Sequence, residues 1–177
     1  MKKRGLANMI MCCLLCCLQC CLLCCTLCFA GCARQLPAPD RVLGALTEAE
    51  VGLPPGQIYL ASAQPHQAAY LSDDMIAALY GNGELPWQLS LVEDYGIFLS
   101  TAQHPCEFAA FLCYSRSDTD LVAAMCHERL DLLRVHYKNT LYASYTQGAR
   151  VAVVGRYVLL LISSDADHAL NAARRVL

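Results

Sequence analysis

The chain is 177 residues long, 56% hydrophobic and 16% charged, with a formal net charge of −2. No run of basic residues crosses its body, which excludes nucleic acid as an expected partner. With Lys2, Lys3 and Arg4 set aside as part of the N-terminal segment, ten basic residues face 15 acidic ones, and this balance of −5 argues equally against direct binding to anionic lipid headgroups.

Those three basic residues open the chain, and a Leu/Cys-rich run follows over 6–30, ending in Phe29-Ala30-Gly31-Cys32. Basic residues stay on the cytoplasmic side while an apolar run inserts behind them, which is the layout of an export signal. The small residues Ala30 and Gly31 suit a signal peptidase. Cleavage is therefore expected between Gly31 and Cys32, leaving Cys32 as the first mature residue with diacylglycerol on its sulfur. Phe29 departs from the Leu that a lipobox prefers. The run exceeds the about 7–15 residues of an ordinary signal core and reaches the about 20 needed to cross a bilayer. A retained signal anchor is thus the alternative, and both readings hold the rest of the chain at the extracytoplasmic face of the cell membrane. The expected segments are a lipoprotein signal peptide over 1–31, a tether with a short helix over 32–52, and a single domain over 53–177.

Ten of the 13 cysteines fall in this leader, as Cys12-Cys13, Cys16-Cys17, Cys20-Cys21, Cys24-Cys25, Cys28 and Cys32. Thiolate clusters bind soft metals, but metal sites pair two Cys-x-x-Cys knuckles around a folded loop. Here the pattern repeats through low-complexity apolar sequence without His or carboxylate, so Cys serves as a small hydrophobe. No metal and no cofactor is expected.

Beyond Cys32, Pro37 and Pro39 mark a tether and 40–51 is predicted as a short helix with Leu43 and Leu46 on one side. Leu53-Pro54-Pro55-Gly56 breaks it, and 57–63 reads as a strand. Ser72 is an N-cap with Asp73 and Asp74 at the positive helix start, and that helix runs to Gly81. Strands are predicted over 91–100, with Tyr95, Ile97 and Leu99 on one face, and over 106–114. In the latter, Phe108, Ala110 and Leu112 alternate with Glu107, Ala109 and Phe111. Ser117 to Asp120 cap the longest helix, over 119–138. Strands over 151–154 and 157–163 flank Gly155-Arg156, a two-residue hairpin loop with Gly first. Both faces of 157–163 are apolar, the mark of a covered central strand. Ser163 or Ser164 is expected to cap a last helix over 165–175. Hairpins alternating with helices predict an α+β two-layer domain, a mainly antiparallel sheet with helices packed on one face, preceded by the N-terminal apolar signal or anchor helix.

Cys106 and Cys113 share a strand at seven steps of about 3.3 Å, roughly 23 Å apart and on opposite faces, so they do not bridge directly. Either one has a route to Cys126, and buried free thiols are the preferred reading.

Leu71-Ser72-Asp73-Asp74, Leu79-Tyr80-Gly81, the strand from Glu93 to Ser100, Glu107 and the stretch from Gly155 to Ser163 follow one another in a recognisable order. In that order the chain resembles, over 53–177, a bacterial lipoprotein family known as domain of unknown function 4358, found mainly in Gram-positive anaerobes. The resemblance implies location, anchoring and fold type, and brings no activity or catalytic residues with it.

The motifs that suggest chemistry have plainer explanations. Cys126-His127-Glu128 lacks the second His that a zincin helix places four residues on; Asp131 stands there instead, and His127 with Asp131 reads as a solvated pair. Gly81-Asn82-Gly83 follows a helix rather than a strand, so it terminates that helix. His104-Pro105-Cys106 reads as a turn. Acidic pairs at 73–74, 118/120 and 165/167 sit at helix starts.

One feature asks for a partner. On the long helix Val122, Met125, Cys126, Leu130, Leu133 and Tyr137 form an apolar stripe, and 100° per residue puts Arg129 near its centre. A guanidinium facing a core requires a counter-charge. Glu107, between apolar neighbours on its strand, is the predicted one, as a structural clip or as the floor of a ligand site. The expected function is a membrane-anchored extracytoplasmic lipoprotein acting as a non-catalytic binding or interaction module, joined to the membrane by lipid on Cys32 and recognising an envelope protein or a small ligand. The alternatives are a structural accessory subunit of an envelope complex, with Tyr59, Tyr70, Tyr80 and Trp87 on its exposed patch, and a small envelope hydrolase using Arg129, Glu107, His127 and Asp131 in one cleft.

Overall fold

A computed structural model describes residues 36–101 and 104–177; the leader, with Gly31 and Cys32, lies outside the described residues. The compact unit begins at Pro37 and runs to Leu177. Its elements are α1 (Pro39–Ala49), β1 (Gly56–Leu60), α2 (Asp73–Tyr80), β2 (Val92–Ser100), β3 (Glu107–Cys113), α3 (Thr119–Tyr137), α4 (Ala143–Gly148), β4 (Arg150–Val154), β5 (Tyr157–Ile162) and α5 (Ala166–Val176). Short 3₁₀ turns precede β2 (Trp87–Leu91) and α3 (Arg116–Asp118). The strands form one antiparallel sheet in the order β1-β2-β3-β5-β4.

The inner strands β3 and β5 are buried at every residue. Because side chains alternate along a strand, a strand buried throughout must be covered on both faces. On one face Ile97, Ala109, Phe111, Val158, Leu160 and Ile162 form a core with Ile76 and Tyr80 of α2 and Val122, Met125, Cys126 and Leu130 of α3. On the other lie Phe108, Ala110, Leu159 and Leu161, under α1 and α5. The expected two layers are therefore three. Sequence periodicity establishes that a helix has an apolar side, not which face of the sheet that side meets.

The helix assigned to the tether is likewise part of the fold. Pro39 occupies its first turn, where a missing N–H costs nothing, and Val42, Leu43 and Leu46 are 0% exposed. Leu43 closes on β2 at Gly96, where an added Cβ would stand 2.7 Å from the Leu43 Cδ1. Beside it, α5 turns Ala166, Ala169, Ala172 and Ala173 inward, small residues that let two helices share one sheet face. Past the end of α1, the buried Glu50 carboxylate accepts from the backbone N–H (3.0 Å) and hydroxyl (2.7 Å) of Ser164. Ser164 thus secures α1 instead of capping α5; Asp165 is the cap, accepting from the His168 N–H at 2.9 Å. The Ser163 hydroxyl is buried without a partner among the described residues.

Other boundaries differ for local reasons. β1 ends at Leu60, since Ala63 N–H closes a turn on the Leu60 carbonyl. The cap expected at Ser117 to Asp120 is not formed on α3 itself; the capping box sits on the 3₁₀ turn ahead of it, between Ser115 and Asp118, and α3 continues from that turn. The helix over Ala143–Gly148 has too few apolar residues to show a period. The β4–β5 loop is the two residues expected, with Gly155 at φ +63° and no positive φ at Arg156, as a type II′ turn requires. Cys106, Cys113 and Cys126 are buried free thiols.

If α1 belongs to the core, Leu46→Ala lowers unfolding stability by about 2–5 kcal/mol, as for other buried leucines. Urea denaturation measures this, and a loss below about 0.5 kcal/mol, the range of surface substitutions, would return α1 to the tether.

Candidate functional site

Glu107 is the first residue of β3, facing Leu99 of β2 and Ile162 of β5 across the ladder, and it is 2% exposed. An ionised carboxylate so placed needs donors for its lone pairs, and two helices supply them. The Tyr80 hydroxyl, on the last residue of α2, donates to Oε1 at 2.7 Å. From α3, Arg129 donates to Oε2 through Nε at 3.2 Å and Nη2 at 2.8 Å. The predicted Arg129–Glu107 partners are thus in direct contact, and Tyr80 completes a three-element network.

The electrostatics keep Tyr80 and Arg129 as donors. Burial, reinforced by the Glu107 carboxylate, raises the Tyr80 hydroxyl well above its ordinary range, so it remains a donor. Burial lowers the Arg129 guanidinium, but the charge and hydrogen bonds of Glu107, together with Tyr80 and Tyr137, outweigh it and the net shift is upward. The Tyr80 ring also packs edge-on against Phe111 with centroids 5.5 Å apart. Tyr80, expected on an exposed patch in the accessory-subunit alternative, is 3% exposed, whereas Trp87 is 60% exposed. The available signal was its position, four residues after the buried Ile76 and so on the same side of α2.

Beside this network opens a cleft of about 190 Å³, with Glu107, Arg129, Ser100, His104 and Tyr137 as its polar lining and Leu79, Leu99 and Leu133 among its walls. The His104 ring lies against Tyr142 and Tyr145, each at 4.7 Å between centroids. Its Nδ1 accepts the Cys106 backbone N–H at 3.1 Å, which assigns the ring proton of the neutral form to Nε2. Burial lowers the His104 pKa against the opposing pull of the Glu50 carboxylate. The Ser100 hydroxyl donates to the His104 carbonyl, so 104–106 is a fastened turn.

His127 and Asp131 do not join this cleft. Both are exposed on α3, and Asp131 pairs with Arg134 at 3.1 Å. The four-residue hydrolase arrangement is therefore not assembled. Burial pushes the Cys106 thiol up to about 12 and that of Cys113 up to about 11, and raises Cys126 as well. Among the described residues no group of three His, Cys, Asp or Glu is placed to hold a metal ion, and no helix is long and apolar enough to cross a membrane. Comparison with protein-family models, with curated proteins and with solved structures found no match.

Removing Arg129 leaves Glu107 buried and half-satisfied. Arg129→Met is expected to cost about 3–5 kcal/mol, and the double variant Arg129→Met/Glu107→Leu appreciably less, because a buried charge without its partner is worse than no charge. A double-mutant cycle in urea measures both; an unchanged midpoint in Arg129→Met would show that the pair carries no weight.

His104 gives a pH dependence of known sign. Its folded pKa lies below the ordinary 6.5, so the unfolded chain binds the extra proton first, and His104 withdraws stability as pH falls below about 6.5. Stability profiles of the wild type and His104→Gln should converge near pH 8 and separate below 6.5, the variant being flatter; parallel profiles would refute the assignment.

Proposed function

We propose that this protein is a membrane-anchored extracytoplasmic lipoprotein, of the bacterial family it resembles, whose folded domain is a non-catalytic binding module at the outer face of the cell membrane. The observation that carries this reading is the leader, three basic residues and an apolar run closing on Ala30-Gly31-Cys32, with Cys32 five positions ahead of Pro37, where the compact unit begins. A short link between a lipidated residue and a self-contained fold is what a tethered domain needs, and lipid supplies about 0.8 kcal/mol per buried CH₂.

The site supports binding rather than covalent chemistry. Glu107 has both carboxylate oxygens occupied by Tyr80 and Arg129, so it is engaged as a strut rather than poised as a base. Reactive cysteines are those with lowered pKa values, and the three thiols of the domain shift the other way. What is left presented to solvent is a small cleft where Arg129, His104 and Tyr137 meet beside the already engaged Glu107. The reading as an accessory subunit of an envelope complex is favoured by a different feature, Leu121, Leu132 and Val135, which are 45%, 51% and 68% exposed and fall on one side of α3.

Intact mass of the protein extracted from membranes tests the anchor. The expected mass starts at Cys32 and includes diacylglycerol, and both features disappear in Cys32→Ala. A full-length mass without lipid in the wild type would replace the lipoprotein with a signal-anchored protein.

A further inference from the structure

Arg129 uses only half of its guanidinium on Glu107. Nε and one N–H of Nη2 point to Oε2. The second fork, Nη1 with the other N–H of Nη2, has no protein acceptor among the described residues, and Arg129 lines the cleft with 16% of its side chain exposed. Two more donors border the same space. With Nδ1 bonded to the Cys106 N–H, His104 offers Nε2–H. The Tyr137 hydroxyl, close enough to Arg129 to act on it electrostatically, likewise has no protein acceptor among the described residues.

We infer that this cleft is a binding site for a small aliphatic carboxylate, held by the second fork of Arg129 with His104 and Tyr137 as flanking donors. The inference rests on the binding-module reading and gives that module a ligand class. A guanidinium fork matches a planar carboxylate with two parallel, charge-assisted hydrogen bonds. Glu107 is the positioning residue: by fixing Nε and Nη2 it turns the second fork outward and limits its rotation, so little is lost in ordering the side chain when the ligand arrives. Leu79, Leu99 and Leu133 provide an apolar wall for a short alkyl chain. At about 190 Å³ the cleft is smaller than the roughly 300 Å³ at which drug-sized pockets begin, so it takes a few-carbon acid or the carboxylate end of something longer. Charge selects a monoanion. Arg129 is already neutralised once by Glu107, and Glu50 adds negative potential at His104 and Cys106, which disfavours a phosphate dianion and makes the affinity modest.

The test is a titration of the isotopically labelled full-length protein in neutral detergent micelles, followed through the Arg129 Nε–H and His104 ring resonances. The probes are butyrate, its neutral isostere butyramide, and inorganic phosphate. Butyrate should move both resonances with a dissociation constant near the millimolar level, and butyramide should bind at least about tenfold more weakly, since it cannot form the charge-assisted pair. Tyr137→Phe, which leaves the Arg129–Glu107 pair in place, should weaken butyrate about three- to tenfold, the size of one hydrogen bond. Arg129→Lys, which retains the charge without the fork, should weaken butyrate about tenfold, read through His104, while keeping some preference over butyramide; unchanged butyrate affinity in this variant would show that the fork is not the binding group. Equal shifts from butyrate and butyramide, tighter binding of phosphate, or no shift up to about 50 mM butyrate, a concentration that would reveal any affinity better than about −2 kcal/mol, would each overturn the site. None of these outcomes depends on whether Cys32 is lipidated, so the anchor and the ligand site stand or fall separately.

Discussion

A carboxylate at the start of β3, walled in by its neighbouring strands, sets a condition that the surrounding elements meet. Glu107 has lost its water and must regain hydrogen bonds from the protein. It obtains one from Tyr80 and two from Arg129, so the end of α2 and the middle of α3 are drawn to the same point of the sheet. The network joins three elements that are distant in sequence, in a place where apolar packing alone would leave helix register loosely specified. It also determines what remains available: Arg129, held along one edge, presents the other to the cleft.

The opposite face is built by shape. β3 and β5 are buried throughout, and α1 and α5 cover the side that α2 and α3 leave open. The two helices fit beside each other because α5 turns only alanines inward and because Gly96 leaves room for Leu43. The Glu50–Ser164 contact then ties the chain just beyond α1 to the turn ahead of α5. Both faces thus use a buried glutamate as a fastener between segments far apart in the chain, one at the centre of a helix–strand contact and one at a helix end.

Much of the site was legible from local pattern. Strict alternation in β3 put Glu107 on the same face as Ala109 and Phe111, and the stripe from Val122 to Tyr137 put Arg129 on the buried side of α3. Two opposite charges facing one core have few alternatives to meeting. Tyr80, His104 and the role of Tyr137 were not legible, for a different reason. Tyr80 meets Glu107 across 27 positions and His104 sits in a turn whose orientation depends on Tyr142 and Tyr145; no periodicity within one element encodes either relation. The short α4, which supplies Tyr145, falls below the length at which helical spacing can be read.

The amino-acid sequence by itself determined the strands, the long helix, the two-residue hairpin loop and the residues that form the ion pair, because each follows from a period or a charge within one segment. It also carries the leader pattern from which anchoring at Cys32 is proposed. Only the tertiary structure decided that helices cover both faces of the sheet, that α1 belongs to the domain, and that Arg129, His104 and Tyr137 border one cleft. Those outcomes depend on which way each connection crosses the sheet and how closely side chains from different elements approach, and these are settled by packing the whole chain at once.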